Sequence, residues 1–182
     1  KTARKALKKL NLDQNLQDLN IIVHSKKSSL ESIENYLKPI IAGESIGLLS
    51  DSGTPCIADP GALIVSKAHK LKIKVIPLVG PSSIILSLMA SGFNGQNFCF
   101  HGYVPIEENK KADFFKEIQK NIKAKQETQI FIETPYRNNK LLTDILKTDN
   151  ESIKLCVATN LTDTNQVIVS KSLKEWRQNK TP

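Results

Sequence analysis

The segment that most limits the fold runs from Ile46 to Gly61. An apolar run, Ile46-Gly47-Leu48-Leu49, meets a polar elbow, Ser50-Asp51-Ser52-Gly53-Thr54-Pro55, and Asp59-Pro60-Gly61 follows. A short apolar run bounded by turn residues reads as a buried strand. Asp59 suits a helix N-cap, with Pro60 at the first helical position. The segment therefore predicts a strand, a tight polar loop and a helix. In open α/β sheets, ligands bind at such loops, outside the carboxyl ends of the strands. Gly53 allows another group to approach the loop backbone closely.

The same unit recurs on both sides. Leu19 to Val23 reads as a strand, followed by a helix capped by Ser28 or Ser29 and ended by Gly43. Its apolar face holds Leu30, Ile33, Leu37, Ile40 and Ile41. The helix from Asp59 to Leu71 should turn Leu63, Ile64, Ala68 and Leu71 inward. Lys74 to Val79 reads as a strand, although Pro77 inside it argues the other way. Ile84 to Ala90 is apolar on nearly every face, which predicts a buried helix, and Gly92 stops it. This alternation implies a parallel sheet with right-handed crossovers.

The pattern changes near Gly95. Strands are expected at Asn97 to Tyr103 and Gln129 to Glu133, and an antiparallel pair at Lys154 to Ala158 and Gln166 to Ser170. Helices are expected at Glu108 to Gln126, Asn138 to Lys147 and from Leu173. The fold class is thus α/β with two domains. Residues 1–95 form an N-terminal domain with a parallel sheet, and residues 96–182 a domain with a mixed sheet.

Composition narrows the function. Hydrophobic residues make up 40% of 182, and no apolar run is long enough to cross a bilayer. Cys56, Cys99 and Cys156 are odd in number and lie in or beside apolar stretches, which suits a reducing, cytoplasmic setting. Lys1 to Leu10 is basic, lacks an apolar core and reads like the middle of a helix. Lys180-Thr181-Pro182 reads as an arbitrary stop, so both ends are expected to be cut. Of the net charge of +8, residues 1–40 and 171–180 contribute +7. A basic excess at the ends suits a phosphate-rich partner as well as it suits a solvated surface.

Three polar loops, DSGTP, GPSS and ETPYR, follow three apolar runs. Every α/β unit has such a connection, so one alone carries little. Together they suggest a cleft lined by hydroxyls and by the carboxylates of Asp51 and Glu133. Gly-x-x-x-x-Gly-Lys and Gly-x-Gly-x-x-Gly are absent, which argues against a phosphate-cradling loop and an ordinary dinucleotide site. Gly-x-Ser-x-Gly is missing, against a serine hydrolase. Asp51 as a phosphoryl acceptor would want a metal and a nearby second carboxylate, where Gly53 stands instead. No Cys-x-x-Cys or His-x-x-x-His spacing offers a metal site. His101, at a strand end, reads as a satisfied structural histidine. Trp176 and Tyr103 are too isolated to form an aromatic platform for single-stranded RNA.

In order, SDSGTPCIADPG, VIPLVGPSS, FCFHGYVP and FIETPYR resemble the tetrapyrrole methylase superfamily. The resemblance is closest to the bacterial group that methylates a cytidine ribose 2′-hydroxyl in small-subunit ribosomal RNA. It implies a two-domain α/β fold and S-adenosylmethionine (SAM) as cofactor. Asp51, Ser52, Gly53, Thr54 and Ile57 match the first cofactor loop, and Ser82 and Ser83 the second. Tyr103 and Val104 match the hinge segment. Glu133 lies where the second-domain strand would meet the cofactor, and Arg137 matches the Arg of the family's Glu-Ser-Pro-His-Arg segment. Ile57 and Ile132 are expected to pack the adenine, and Asn160 sits in the turn over the adenosyl group. Glu133 as a weak base and Arg137 as an orienter are the implied catalytic residues, beside simple positioning, and no metal is needed.

Two features depart from the family. The first strand and Gly-Asn-Leu loop are lacking, and Thr159-Asn160-Leu161-Thr162-Asp163 replaces Arg-Glu-Leu-Thr-Lys. The implied partner is ribosomal RNA or the small ribosomal subunit, with a homodimer expected and no membrane. The alternatives are a methyltransferase of a small molecule such as a tetrapyrrole, and a SAM-binding module without transfer activity.

Overall fold

A computed structural model of the chain describes residues 2–9, 15, 17–148 and 150–178. Lys1, Leu10 and residues 179–182, on which part of the reading of the ends rests, lie outside the described residues. Contacts divide the chain into two compact units, residues 1–81 and 82–182.

The first unit holds helices α1 (Thr2–Leu7), α2 (Leu30–Ile41) and α3 (Ala62–Lys70). Ser29 caps α2: its hydroxyl accepts the Ser32 N–H at 3.2 Å. Ile33 and Leu37, one turn apart, are the buried positions of α2, and α2 packs on α3. The chain leaves α2 through Gly43 at φ +95°, a conformation that favours glycine. α3 starts two residues later than an Asp59 cap would place it, because the N-cap is Gly61 at φ +142°. A Cβ there would lie 2.8 Å from Leu48 Cδ2 and 2.9 Å from Cys56 Sγ, so any other residue would strain the backbone and displace those side chains. Within α3, Ala68 is buried as expected, but Leu63 and Leu71 face solvent.

The expected strands of this unit need correcting. Residues 20–25, 44–50 and 73–80 have no regular secondary structure, and none of them joins a ladder among the described residues. The parallel pairing expected of the first half is found in the second unit instead. An apolar run becomes a strand only when a neighbour takes its N–H and C=O groups. The side chains of Val79, fully exposed at 108%, and Val23, at 85%, are open to solvent. Pro77 also removes a donor from the third run.

In the second unit every expected strand forms. The order is α4 (Ser83–Ser91), β1 (Phe98–Tyr103), α5 (Glu108–Lys125), β2 (Thr128–Ile132), α6 (Asn138–Leu146), β3 (Lys154–Thr159), β4 (Val167–Ser172) and α7 (Leu173–Gln178). β1 and β2 pair in parallel with α5 as crossover, from Phe98↔Thr128 to Tyr103↔Ile132. The register shifts between Phe100 and Tyr103, where Gly102 adopts φ +71°. β3 and β4 pair antiparallel from Lys154↔Ser172 to Thr159↔Val167. The architecture is α/β, with one parallel and one antiparallel pair.

Two cores hold this unit. Ile84 and Leu88 of α4 pack with Ile130 of β2, flanked by Phe100 and Ile132. Leu146, Leu173 and Trp176 form the other, beneath β3 and β4. Trp176 is 0% exposed, and its indole N–H donates to the Leu155 carbonyl at 2.9 Å. That bond satisfies the polar edge of a large buried ring. α4 is buried on one face only: Met89 is 75% exposed, so its apolar composition overstated its burial. Gly92 ends it in the left-handed conformation, as read from the sequence.

Candidate functional site

In the first unit the DSGTP loop is held by short-range bonds. The Ser50 hydroxyl donates to the Ser52 carbonyl at 2.8 Å and accepts the Ser52 N–H at 3.2 Å. That closed turn puts Asp51 and Ser52 on the surface and Gly53 at φ +72°. Beyond Gly53 lies open space, the first atom a Cβ would meet being Pro81 O at 4.0 Å. Gly80 in turn lies 3.7 Å from the Thr54 methyl, measured from its own Cβ position. The structure thus brings residues 50–54 and the Gly80-Pro81 turn side by side. Ile57 is exposed, just past Cys56 at φ +68°. Burial, and then the Asp59 carboxylate, push the Cys56 thiol up, so it stays protonated.

In the second unit Ser82 is the N-cap residue of α4, with extended backbone and no side-chain capping bond. Its carbonyl accepts the Leu86 N–H at 2.9 Å, and Ser83 opens the helix on the surface. The principal cluster stands at the carboxyl end of the parallel pair. Tyr103, half exposed at the end of β1, is opposite Ile132, the last residue of β2. Val104 then anchors the exit of β1 at 3% exposure.

Glu133 follows directly. One carboxylate oxygen, Oε1, accepts three hydrogen bonds: from the Thr134 N–H at 2.7 Å, Arg137 Nε at 2.8 Å and Arg137 Nη2 at 2.5 Å. The Glu133 side chain is 8% exposed and that of Arg137 30%. Arg137 N–H donates to Thr134 O at 3.0 Å, closing the turn, and Arg137 O accepts Leu141 N–H at 2.9 Å as α6 begins. A planar guanidinium gripped along one edge is fixed in direction. No hydrogen bond from Arg137 Nη1 is found among the described residues, and the side chain is 30% exposed.

Asn160 sits apart from this cluster. At φ +49° it opens the β3–β4 turn, where its carbonyl accepts the Asp163 N–H at 3.0 Å. No hydrogen bond among the described residues joins it to Glu133, Arg137 or Tyr103. An apolar groove of about 300 Å³, lined by Leu86, Met89, Leu161 and Ile168, lies between α4 and that turn. His101 is bonded as a structural histidine: its Nε2 meets Gln129 Oε1 at 2.6 Å, and its ring stands edge-on to Phe114. Gln129 Nε2 donates to Glu127 at 2.7 Å, so the Gln129 oxygen is the acceptor and His101 Nε2 carries the hydrogen.

Two features escaped the sequence. Tyr136, at the tip of the ETPYR turn, is 98% exposed. Lys111 is buried between α5 and α6, with Nζ at 2.6 Å from Asp144 and 3.1 Å from Glu108. It lines a groove of about 400 Å³ with Phe115, Lys116 and Lys147. The bond to Asp144 raises the Lys111 pKa, and the same bond lowers that of Asp144. The signal was there: Lys111 stands seven residues before Ile118 on the apolar stripe of α5. Among the described residues no helix is long and apolar enough to cross a membrane.

Comparison with known proteins converges on one family. The family model for tetrapyrrole (corrin/porphyrin) methylases matches residues 13–176. Ribosomal RNA small subunit methyltransferase I of Buchnera aphidicola subsp. Schizaphis graminum is 35% identical over 144 residues, 79% of this chain and 49% of that protein. The protein of the same name from Vibrio cholerae is 36% identical over 136 residues, 75% of this chain and 46% of its own. That from Escherichia coli O157:H7 is 35% identical over 138 residues, 76% and 47% respectively. The chain spans about half the length of these curated relatives. The family match covers both compact units and every loop described above, and the chain belongs to the tetrapyrrole (corrin/porphyrin) methylase family.

Proposed function

We propose that this chain is part of a SAM-dependent methyltransferase that acts on a ribose 2′-hydroxyl of small-subunit ribosomal RNA. The observation that carries this reading is the Glu133–Arg137 pair at the carboxyl end of the parallel strands. There the part-exposed Arg137 side chain can hold a phosphate or hydroxyl oxygen, and the relatives are named for the small-subunit RNA. The cofactor residues proposed are Asp51, Ser52, Gly53, Thr54 and Ile57 in the first unit. In the second they are Ser82, Ser83, Tyr103, Ile132 and Asn160.

The donor set fits such a ligand. Gly53 leaves open space beside the loop, and hydroxyls and backbone groups surround it. Bound SAM would supply a methyl on a sulfonium cation, ready for in-line displacement. The chain's own contribution is to hold the acceptor in line, an effect able to supply several kcal/mol of the barrier. Arg137 orients the acceptor, and Glu133 holds Arg137 in direction. Such an enzyme would work as a homodimer in the cytoplasm, where ribosomal subunits are. A SAM-binding module without transfer activity is the second reading, favoured by the changed Thr159–Asp163 turn, in which Asp163 bonds its neighbour Thr164 at 2.6 Å.

The test is calorimetric titration of the full-length protein with SAM, then labelled methyl transfer to ribosomal RNA and to tetrapyrroles. Binding with transfer to RNA supports the reading. Binding without transfer to either leaves the module, and transfer to the tetrapyrrole alone refutes the RNA substrate. Gly53→Trp should abolish SAM binding, because its ring fills the open space and its Cβ strains a φ of +72°. Unchanged affinity would remove Gly53 from the cofactor site.

A further inference from the structure

Tyr136 is the most exposed aromatic ring described in the second unit. It occupies the third position of the turn Thr134-Pro135-Tyr136-Arg137. Three devices hold that turn. Pro135 fixes its own φ. The Arg137 N–H donates to the Thr134 carbonyl at 3.0 Å across it. Glu133 Oε1 ties its first N–H, at Thr134, to its last side chain, the Arg137 guanidinium. The Arg137 carbonyl then enters the first turn of α6. The turn fixes where the Tyr136 backbone stands, and the ring is 98% exposed.

Scattered exposed apolar residues are ordinary on a protein surface. Position separates this one from that background. It lies at the carboxyl end of β2, one residue before the guanidinium proposed to orient the acceptor. Tyr103, 52% exposed, ends the neighbouring strand at the same rim. An exposed phenol beside a cation fixed in direction, at one strand end, has the makings of a stacking site for an unpaired base. Such sites combine an aromatic face with a positive group on the phosphate–sugar chain.

We infer that Tyr136 is a substrate-binding residue that stacks on a nucleobase of single-stranded RNA next to the methylated ribose. The inference rests on the reading of an RNA acceptor given above. Stacking requires the ring face and not the phenol hydroxyl, so phenylalanine and tryptophan should serve. Tyr136 is not among the residues proposed above to hold the cofactor.

The experiment uses the full-length protein and its Tyr136→Ala, Tyr136→Phe and Tyr136→Trp variants. It measures SAM affinity by calorimetry, and kcat and KM for labelled methyl transfer to small-subunit ribosomal RNA. Tyr136→Ala should raise KM for RNA roughly 5- to 150-fold, the range for loss of one stacked base. SAM affinity should be unchanged, and the Phe and Trp variants should stay within about twofold of the parent. An unchanged KM in Tyr136→Ala overturns the inference while leaving the RNA reading intact. A Phe variant as weak as the Ala variant overturns it in favour of a hydroxyl contact. Loss of SAM affinity overturns it in favour of a role at the cofactor. A parent enzyme that methylates a tetrapyrrole and not RNA refutes the RNA reading, and this inference with it.

Discussion

Lys111 and Asp144 meet at 2.6 Å across 33 residues of chain, whereas Arg137 and Glu133 meet at 2.5 Å across four. The first pair joins two helices, α5 and α6, and buries its amine with both partners satisfied. The second joins nothing distant. It stiffens a single turn and leaves part of its cation at the surface, at the end of the strands where ligands bind in this class of sheet. Similar electrostatics thus serve two ends. A buried long-range pair holds elements together, and a part-exposed short-range pair presents a group to something outside the chain.

That contrast can be broken by mutation. Arg137→Ala should give the largest effect, lowering kcat/KM for RNA methylation by roughly 100-fold, as loss of one fixed electrostatic donor does. Its melting temperature should hardly move. A large drop in melting temperature with normal turnover would make Arg137 another structural lock. Glu133→Gln should come next, at roughly 10-fold, because the amide oxygen still accepts from Arg137 while the charge is lost. If Glu133 is instead the proton acceptor, the Gln variant should be as poor as Arg137→Ala.

The reverse pattern belongs to Lys111. Lys111→Ala should destabilise the protein by about 2 kcal/mol, less than a fully enclosed pair would cost because the groove is open to water. Urea unfolding would measure it, and turnover at 25 °C should be near that of the parent. The pH dependence is the smallest effect. Lys111 holds the Asp144 carboxyl below its ordinary value. The stabilisation is therefore complete above the ordinary aspartate range, at about pH 4, and is lost as pH falls through the depressed value. The raised value of Lys111 gives the opposite edge: its contribution is full below about pH 10 and is lost as pH climbs through the folded value. The difference in urea midpoint between the parent and Asp144→Asn should shrink in acid, and a constant difference would mean the pair contributes no charge-dependent stability.

The two units also differ in how far their residues announced them. In the second, the runs Asn97 to Tyr103 and Gln129 to Glu133 became β1 and β2 nearly residue for residue, because each has its partner within about 30 residues. In the first, Leu19 to Val23 and Lys74 to Val79 have the same strand composition but remain unpaired. Composition records the wish to be buried on a sheet, and pairing is a non-local event that a single segment cannot specify. The start of α3 was misread for a local reason. Asp59-Pro60 is a sound capping pair, but Cys56, Ala58 and Gly61 all take positive φ and delay the helix.

Of the candidate site, Glu133 and Arg137 were legible only through the resemblance, and their bond to each other was not read from the sequence. Tyr136 was not legible, because exposure depends on the folded chain around it and not on residue type. Asn160 was placed by resemblance alone, and its own turn accounts for its conformation.

The account stands most directly on where a methyl group goes. Full-length protein, labelled SAM and unmodified small ribosomal subunits should yield, after nuclease digestion, label on the ribose 2′-oxygen of a cytidine, and Arg137→Ala should yield far less. Label on a base, on a tetrapyrrole in a parallel reaction, or on no acceptor at all would contradict it.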